Sequence, residues 1–289
     1  MHIFDSFLLE AVINGILLGG ILALLALGLN LVFGVIDVIW ICYAELIMIG
    51  MYSVYYAHNV YHWPLALAFL GCVLLVAALG ALLHVLVIRP VLAAEPINQL
   101  LVTGGVLFFL QAVATLAFGV EFKNVGVSLP VLQVDGVYIS VARLIAFGVA
   151  LGGMVGVYLF LKRTYIGTAI RAISQDRGIM PLMGVNVNRM FVLTSALGGA
   201  LAGLAACLLV LQYDIHPAIG LSFGPITFMV CVLGGLGNMV GGFIAAFIFA
   251  QFISVGGYFL ALEWGYVLAF LFFIAMMFWR PQGILGGTK

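Results

Sequence analysis

Long apolar runs free of Asp, Glu, Lys and Arg dominate the chain, at residues 11–36, 46–88, 96–120, 190–213 and 215–262. A helix rises about 1.5 Å per residue, so roughly 20 residues cross a hydrocarbon core about 30 Å thick. The longest runs therefore hold two crossings each, or one crossing and a re-entrant piece. The pattern predicts spans near residues 8–29, 38–57, 64–88, 97–119, 140–161, 190–213, 220–235, 239–259 and 264–279. The seventh is short, and periodicity does not separate a full crossing from paired half-helices in a stretch as glycine-rich as 220–242. The expected fold is all-α, a polytopic transmembrane helical bundle of about 8–10 spans with broken or re-entrant helices. One membrane domain takes up residues 1–289, since no polar stretch is longer than a loop.

Composition agrees: with 66% hydrophobic and 7% charged residues, the chain could not cover a water-soluble surface. The first residues lack the basic region and small-residue cleavage site of a secretory signal, so the first apolar segment is expected to be retained as a span. Cys42, Cys72, Cys207 and Cys231 stand singly inside apolar segments, which suits small buried side chains rather than a disulfide framework or zinc site.

The few charges are unevenly placed. Arg89, the loop at 162–189 and the end at 280–289 hold eight of the ten Lys and Arg residues. Basic short loops stay on the cytoplasmic side, so these three are expected there. The opposite face would carry Asp5, Glu10, Glu121, Asp135, Asp214 and Glu263 with only Lys123 and Arg143. That places the N-terminus outside and the C-terminus inside if the number of spans is odd. Glycines recur at four-residue spacing, Gly15 and Gly19, Gly148 with Gly152 and Gly156, Gly199 and Gly203, Gly237 and Gly241. Such stripes let helix backbones approach closely in lipid, and can also serve as hinges.

Glu45 is the one acidic residue well inside a predicted span, at a cost of about 3 kcal/mol if central and ionised. It either lines a pathway and binds an ammonium group, or bonds backbone amides freed by a broken helix. With the span starting at Val38, it would lie only about 10 Å deep. Asn14, Asn30, Tyr43, Thr227, Gln111 and Gln251 are further polar candidates, each suited to an interhelical hydrogen bond or a solute contact.

Enzyme-like patterns are weak. Gly220-Leu221-Ser222-Phe223-Gly224 fits the nucleophile-elbow spacing with Asp214 and His216 nearby, so an intramembrane serine hydrolase is a remote alternative. The motif belongs on a soluble strand-to-helix turn, however. His58 and His62 are four apart but lack a third ligand, and Gly235-Leu236-Gly237 lacks the strand and acid of a dinucleotide site. No metal is expected.

The loop at 162–189 carries Lys162, Arg163, Arg171, Asp176, Arg177 and Arg189. Ser174 could cap a short helix there and Gly184 end it, while Gly178 and Pro181 should break it, since proline costs about 3 kcal/mol in a helix interior. Apolar Ile179, Leu182 and Met183 suit docking onto a cytoplasmic partner; the alternative is a solvated basic loop near anionic head groups.

Here the chain resembles the permease subunits of ABC importers for branched-chain amino acids, of the kind called LivH. The loop looks like that family's coupling segment, with Gly167, Arg171, Ala172, Asp176, Gly184 and Asn186 at matching positions. Trp40-Ile41-Cys42-Tyr43-Ala44-Glu45-Leu46-Ile47-Met48-Ile49-Gly50, Arg89-Pro90-Val91, Val232-Leu233-Gly234-Gly235-Leu236-Gly237-Asn238 and Pro281-Gln282-Gly283-Ile284-Leu285-Gly286 agree in order. The resemblance implies a permease that passes a small polar solute, a branched-chain amino acid or a related amino acid or amide, by alternating access. It implies as partners two cytoplasmic ATPases, a second identical or homologous permease and a periplasmic solute-binding protein, in the bacterial inner membrane. Asn14, Asn30, Tyr43, Glu45, His216 and Thr227 are the pathway candidates. No cofactor is expected on this chain. A Walker A loop needs Gly-Lys-Ser/Thr, yet Lys123, Lys162 and Lys289 each follow a residue other than glycine, so ATP would be used by the partners. The rival is a self-sufficient channel or secondary carrier, which charge-poor spans would suit equally.

Overall fold

The computed structural model describes residues 2–127, 130–134 and 137–286; Asp135 and Lys289, assigned above to opposite faces, lie outside them, as does the side chain of Asp5. Its α-helices are α1 (His2–Ile36), α2 (Tyr43–Tyr55), α3 (Leu65–Leu83), α4 (Arg89–Val91), α5 (Pro96–Phe118), α6 (Val141–Arg163), α7 (Tyr165–Gln175), α8 (Val187–Leu209), α9 (Ile219–Gly234), α10 (Met239–Phe259) and α11 (Leu262–Trp279). π-helical turns extend α2 through Val60 and join α3 to α4. A short antiparallel hairpin, β1 (Val131–Val134) and β2 (Val137–Ser140), precedes α6. The chain is thus a polytopic helical bundle in which, among the described residues, six helices are long and apolar enough to cross a membrane by themselves.

Burial sorts these helices. In α1, 83% of the most apolar window is buried, against 17–22% in α3, α5 and α6. Leu70, Leu74, Phe108, Phe109, Leu116 and Val155 are exposed on the latter, as lipid-facing side chains must be. Helix α1 therefore forms the centre of the bundle, clasped by α8 and α10.

One face gathers the basic residues. Arg177, midway along the 162–189 loop, lies 3.9 Å from Asp37 at the end of α1, and the α9–α10 turn meets the same corner, where Gly237 packs against Gly34. On the opposite face Lys123 pairs with Ile215 in an isolated bridge, Asn124 donates to Asp214 at 2.7 Å, and Arg143 donates to Asn14 at 2.8 Å. Among the described residues the chain passes between the two faces nine times, and α1 begins on the face opposite the basic one.

The elements α1–α3 and α8–α10 also repeat one another in reversed direction. In each set a long helix leads through an irregular stretch (37–42, 210–218) into a shorter helix and then a returning one. The packing is crosswise: α1 lies along α10 and α3 along α8, while the shorter helices α2 and α9 cross between them. This order and crosswise packing are those of an inverted repeat.

Glycine placement explains the close seams. A methyl group at Gly199 would lie 2.5 Å from the Val76 carbonyl and 3.2 Å from the Gly80 Cα, both backbone atoms that cannot yield. Gly15 and Gly19 seat the side chains of Gln251 and Phe247 of α10, and Gly241 receives the Gly234 backbone. The stripe at Gly148, Gly152 and Gly156 departs from the expectation, since nothing stands within 4 Å of a methyl group at any of the three. Helix α6 is peripheral there, so its glycines seam nothing within this chain. Gly199→Val should cost about 1–3 kcal/mol by overpacking, seen as a lowered thermal unfolding midpoint in detergent, while Gly152→Val should leave that midpoint unchanged.

Candidate functional site

The predicted second span differs most from expectation, and the difference builds the site. Asp37 sits in the left-handed region at φ 62°, which turns the chain out of α1. The Asp37 amide makes the last helical bond of α1, to the Phe33 carbonyl, and residues 38–40 then lie outside any helix and span at most about 10 Å at roughly 3.3 Å per residue. A turn at Ile41 and Cys42 follows, and only then does α2 begin. Its first residue, Tyr43, donates from its hydroxyl to the carbonyl of Gly198, the middle of α8, at 3.2 Å. Glu45, in the same first turn, consequently sits well inside the bundle, deeper than continuous helix from Val38 would place it.

Glu45 is 0% exposed, and neither carboxyl oxygen has a hydrogen-bond partner. It bonds none of the backbone amides that the broken helix frees. The carboxyl rests against Gly220 in the first turn of α9, where a methyl group would stand 2.5 Å from Oε1, and Ala44 packs against Gly224 one turn on. The starts of α2 and α9 therefore cross at Glu45.

Two cavities flank this crossing. One of about 290 Å³ is almost wholly apolar and is lined by Trp40, Tyr43, Ala44, Gly220, Gly224 and Thr227 among others. The second, about 700 Å³, opens on the face opposite the basic one between α9 and α11, and its wall includes Asp214, His216, Ser222, Phe223, Tyr266 and Phe270. Leu221 and Pro225 belong to both walls.

The other pathway candidates divide. Asn30 accepts from the Gly237 amide at 3.0 Å and so ties α1 to the α9–α10 turn. Asn14 is held by Arg143, and Gln251 donates to the Val12 carbonyl at 3.1 Å. Thr227 bonds back to the Phe223 carbonyl within its own helix, while its side chain still borders the smaller cavity. Gln111 sits on lipid-facing α5, where its backbone carbonyl accepts from Thr115. His216 meets Phe122 with tilted rings, centroids 4.9 Å apart, in the larger cavity, and burial lowers its pKa despite the opposing pull of Asp214. Among the described residues Ser222 and His216 share no hydrogen bond, and Asp214 is taken by Asn124. No group of three or more His, Cys, Asp or Glu able to hold a metal occurs among the described residues.

On the basic face, the helix of the 162–189 loop lies earlier than expected. Thr164 caps α7 by accepting from the Gly167 amide at 3.0 Å, whereas Ser174 sits near the helix end and donates to the Arg171 carbonyl. Gly167, Ala169, Ile170 and Ile173 are buried against the bundle, and Arg171 points outward with Ala172 half-buried beside it. Asp176 then accepts from the amides of Gly178 and Ile179 at 2.8 and 3.2 Å and turns the chain into a 3₁₀ turn, Met180–Met183. Gly184, at φ 77°, ends that turn, and Asn186 caps α8 by accepting from the Arg189 amide. The break expected at Gly178 and Pro181 is present. Leu182 and Met183 project from its tip, 84% and 73% exposed.

Two features escaped sequence reasoning. Arg177 bridges the loop to the bundle, near Asp37 and 5.7 Å from the Phe191 ring. Lys123, on the other face, sits among Tyr52, Tyr55 and Tyr56 with its ammonium 3.0 Å from the Tyr56 hydroxyl, fastening the outer loop to the end of α2. Tyrosines spaced along a helix signal neither until the loop's course is known.

The chain is 31% identical over 96% of its length to the high-affinity branched-chain amino acid transport system permease protein BraD of Pseudomonas aeruginosa, covering 95% of that protein. It is 28% identical over 97% of its length to the permease protein LivH of the corresponding system of Escherichia coli K12, covering 96% of it. Among solved structures, a chain of PsaBC from Streptococcus pneumoniae in complex with Fab aligns over 98% of this chain and 93% of its own, at 16% identity and a TM-score of 0.47. The family model described as the permease component of the branched-chain amino acid transport system matches residues 11–277. With that match spanning the bundle from α1 to α11, the chain belongs to the family of branched-chain amino acid transport permease components.

Proposed function

We propose that this chain is the membrane-spanning permease subunit of an ABC importer for branched-chain amino acids or related amino acids and amides in the bacterial inner membrane. A periplasmic binding protein delivers the solute to the face bearing the larger cavity, and two cytoplasmic ATPases supply the energy from ATP, so this chain carries no cofactor and catalyses no reaction itself. A second permease, identical or homologous, faces the exposed stripe Leu221, Pro225 and Phe228 of α9, and the path runs between the two subunits.

The observation that carries this reading is α7. An amphipathic helix is bound by its apolar side to α1 and α8, held at both ends by capping bonds, and followed by an apolar tip with no cover in the chain. Such a tip suits a protein groove better than water, and the positive-inside rule puts it in the cytoplasm with the ATPases. The Arg177–Asp37 contact, half-exposed and worth little to stability, links the tip's base to the irregular stretch that raises α2. ATPase closure thereby reaches the crossing of α2 and α9, and the two faces open in alternation.

Reconstitution tests this. Vesicles containing the permease pair, the ATPases and the binding protein should accumulate leucine only with ATP, and this chain alone should admit none. Uptake by the chain alone, without nucleotide, would establish the self-sufficient carrier instead.

A further inference from the structure

The first two turns of α9 are built to move. Pro225 lies inside the helix and has no amide for the Leu221 carbonyl, so the bond between those turns is missing. Gly220 and Gly224 flank the gap, and both pack on α2 through small contacts, the Glu45 carboxyl and the Ala44 methyl. This same segment is the partition between the two cavities, since Leu221 and Pro225 line both. Behind the partition stands a fully buried carboxyl with no partner on either oxygen. A carboxyl carried so deep with nothing to bond is costly in a resting structure, and becomes intelligible if a donor reaches it in another state.

We propose that Glu45 is the residue that receives the solute's ammonium group, and that the segment from Ile219 to Pro225 is the gate that uncovers it. Displacing the segment joins the two cavities into one passage with the Glu45 carboxyl in its wall. The apolar lining of the smaller cavity, Trp40, Ile41, Leu107 and Phe228, then accommodates an aliphatic side chain. This rests on the proposed function and sharpens it: the site selects α-amino acids over urea, amides without an amino group and organic acids.

The test uses the complete importer in proteoliposomes with dicyclohexylcarbodiimide, which attacks carboxyl groups in apolar surroundings. Mass spectrometry of the peptide containing Glu45 should show modification that rises during ATP turnover. Leucine in excess should suppress it, whereas 4-methylpentanoate, which lacks the amino group, should not. Glu45→Gln, of the same size and neutral, should lower leucine uptake about tenfold or more, as expected for losing a charge-assisted hydrogen bond. Absence of modification in every state, modification indifferent to leucine, or undiminished uptake by Glu45→Gln would each overturn the assignment while leaving the importer reading intact. An importer that takes up no amino acid at all would overturn both.

Discussion

Gly167→Ala is expected to bring uptake by the assembled importer to background. At the junction of α6 and α7 the chain reverses so tightly that a methyl group at this position would strike the Phe160 carbonyl and the Leu161 Cα. These are backbone atoms, so no side-chain rotation relieves the clash. The strain, about 1–3 kcal/mol or more, suffices to unseat α7 from the bundle by a factor of roughly ten to a hundred. The spans themselves should still fold and insert, because α7 contributes little to the core. ATP hydrolysis by the partners should therefore persist while transport fails, a separation measurable in one proteoliposome preparation. Transport at wild-type rate would show that α7 is not the coupling element.

Replacing Asp176 should have a comparable effect with a more specific signature. Its carboxylate oxygen holds the amides of Gly178 and Ile179 and so sets the angle between α7 and the apolar tip. Asp176→Ala removes both bonds and should abolish transport, leaving solute binding by the periplasmic partner unchanged. Asp176→Asn keeps an acceptor oxygen at the same place and should retain most of the activity. Equal failure of both would mean that the charge, rather than the turn, makes the contact with the ATPase.

Much of this architecture was legible in the apolar runs. All nine predicted spans correspond to helices, seven of them within about four residues of their expected limits, because span length is imposed by bilayer thickness and apolar side chains report it directly; α1 runs six or seven residues further at each end, and α2 starts five residues late. The seventh, too short to read with assurance, is α9, a continuous helix despite Pro225. What the pattern hid was the start of α2. Val38, Ile39, Trp40 and Ile41 are as apolar as any helix interior, and composition does not register that the backbone there is not helical. The signal is the left-handed Asp37, and a single aspartate at the end of a run reads equally well as a boundary charge.

The coupling segment shows the opposite error. A cap at Ser174 would place the helix of this loop too late, since Thr164 followed by buried Gly167, Ala169, Ile170 and Ile173 already carries a cap and an apolar stripe. Glu45 stood out as anomalous in the sequence, yet only the fold shows that Gly220 covers it and that both its oxygens are unpartnered. Contacts between segments 175 residues apart have no local signature.

The reversed repeat has a bearing on energetics. Two halves of like build and opposite sense give a protein no intrinsic bias toward either side of the bilayer, as a coin of uniform metal has none toward either face. Any bias must reside where the two three-helix units disagree or in what lies outside them, and here that includes Glu45 against its counterpart turn in α9, Pro225, and the basic strap at 162–189. Directionality in this chain is thus a property of a few local asymmetries, and exchanging residues between corresponding positions of the halves should shift which way the empty transporter rests.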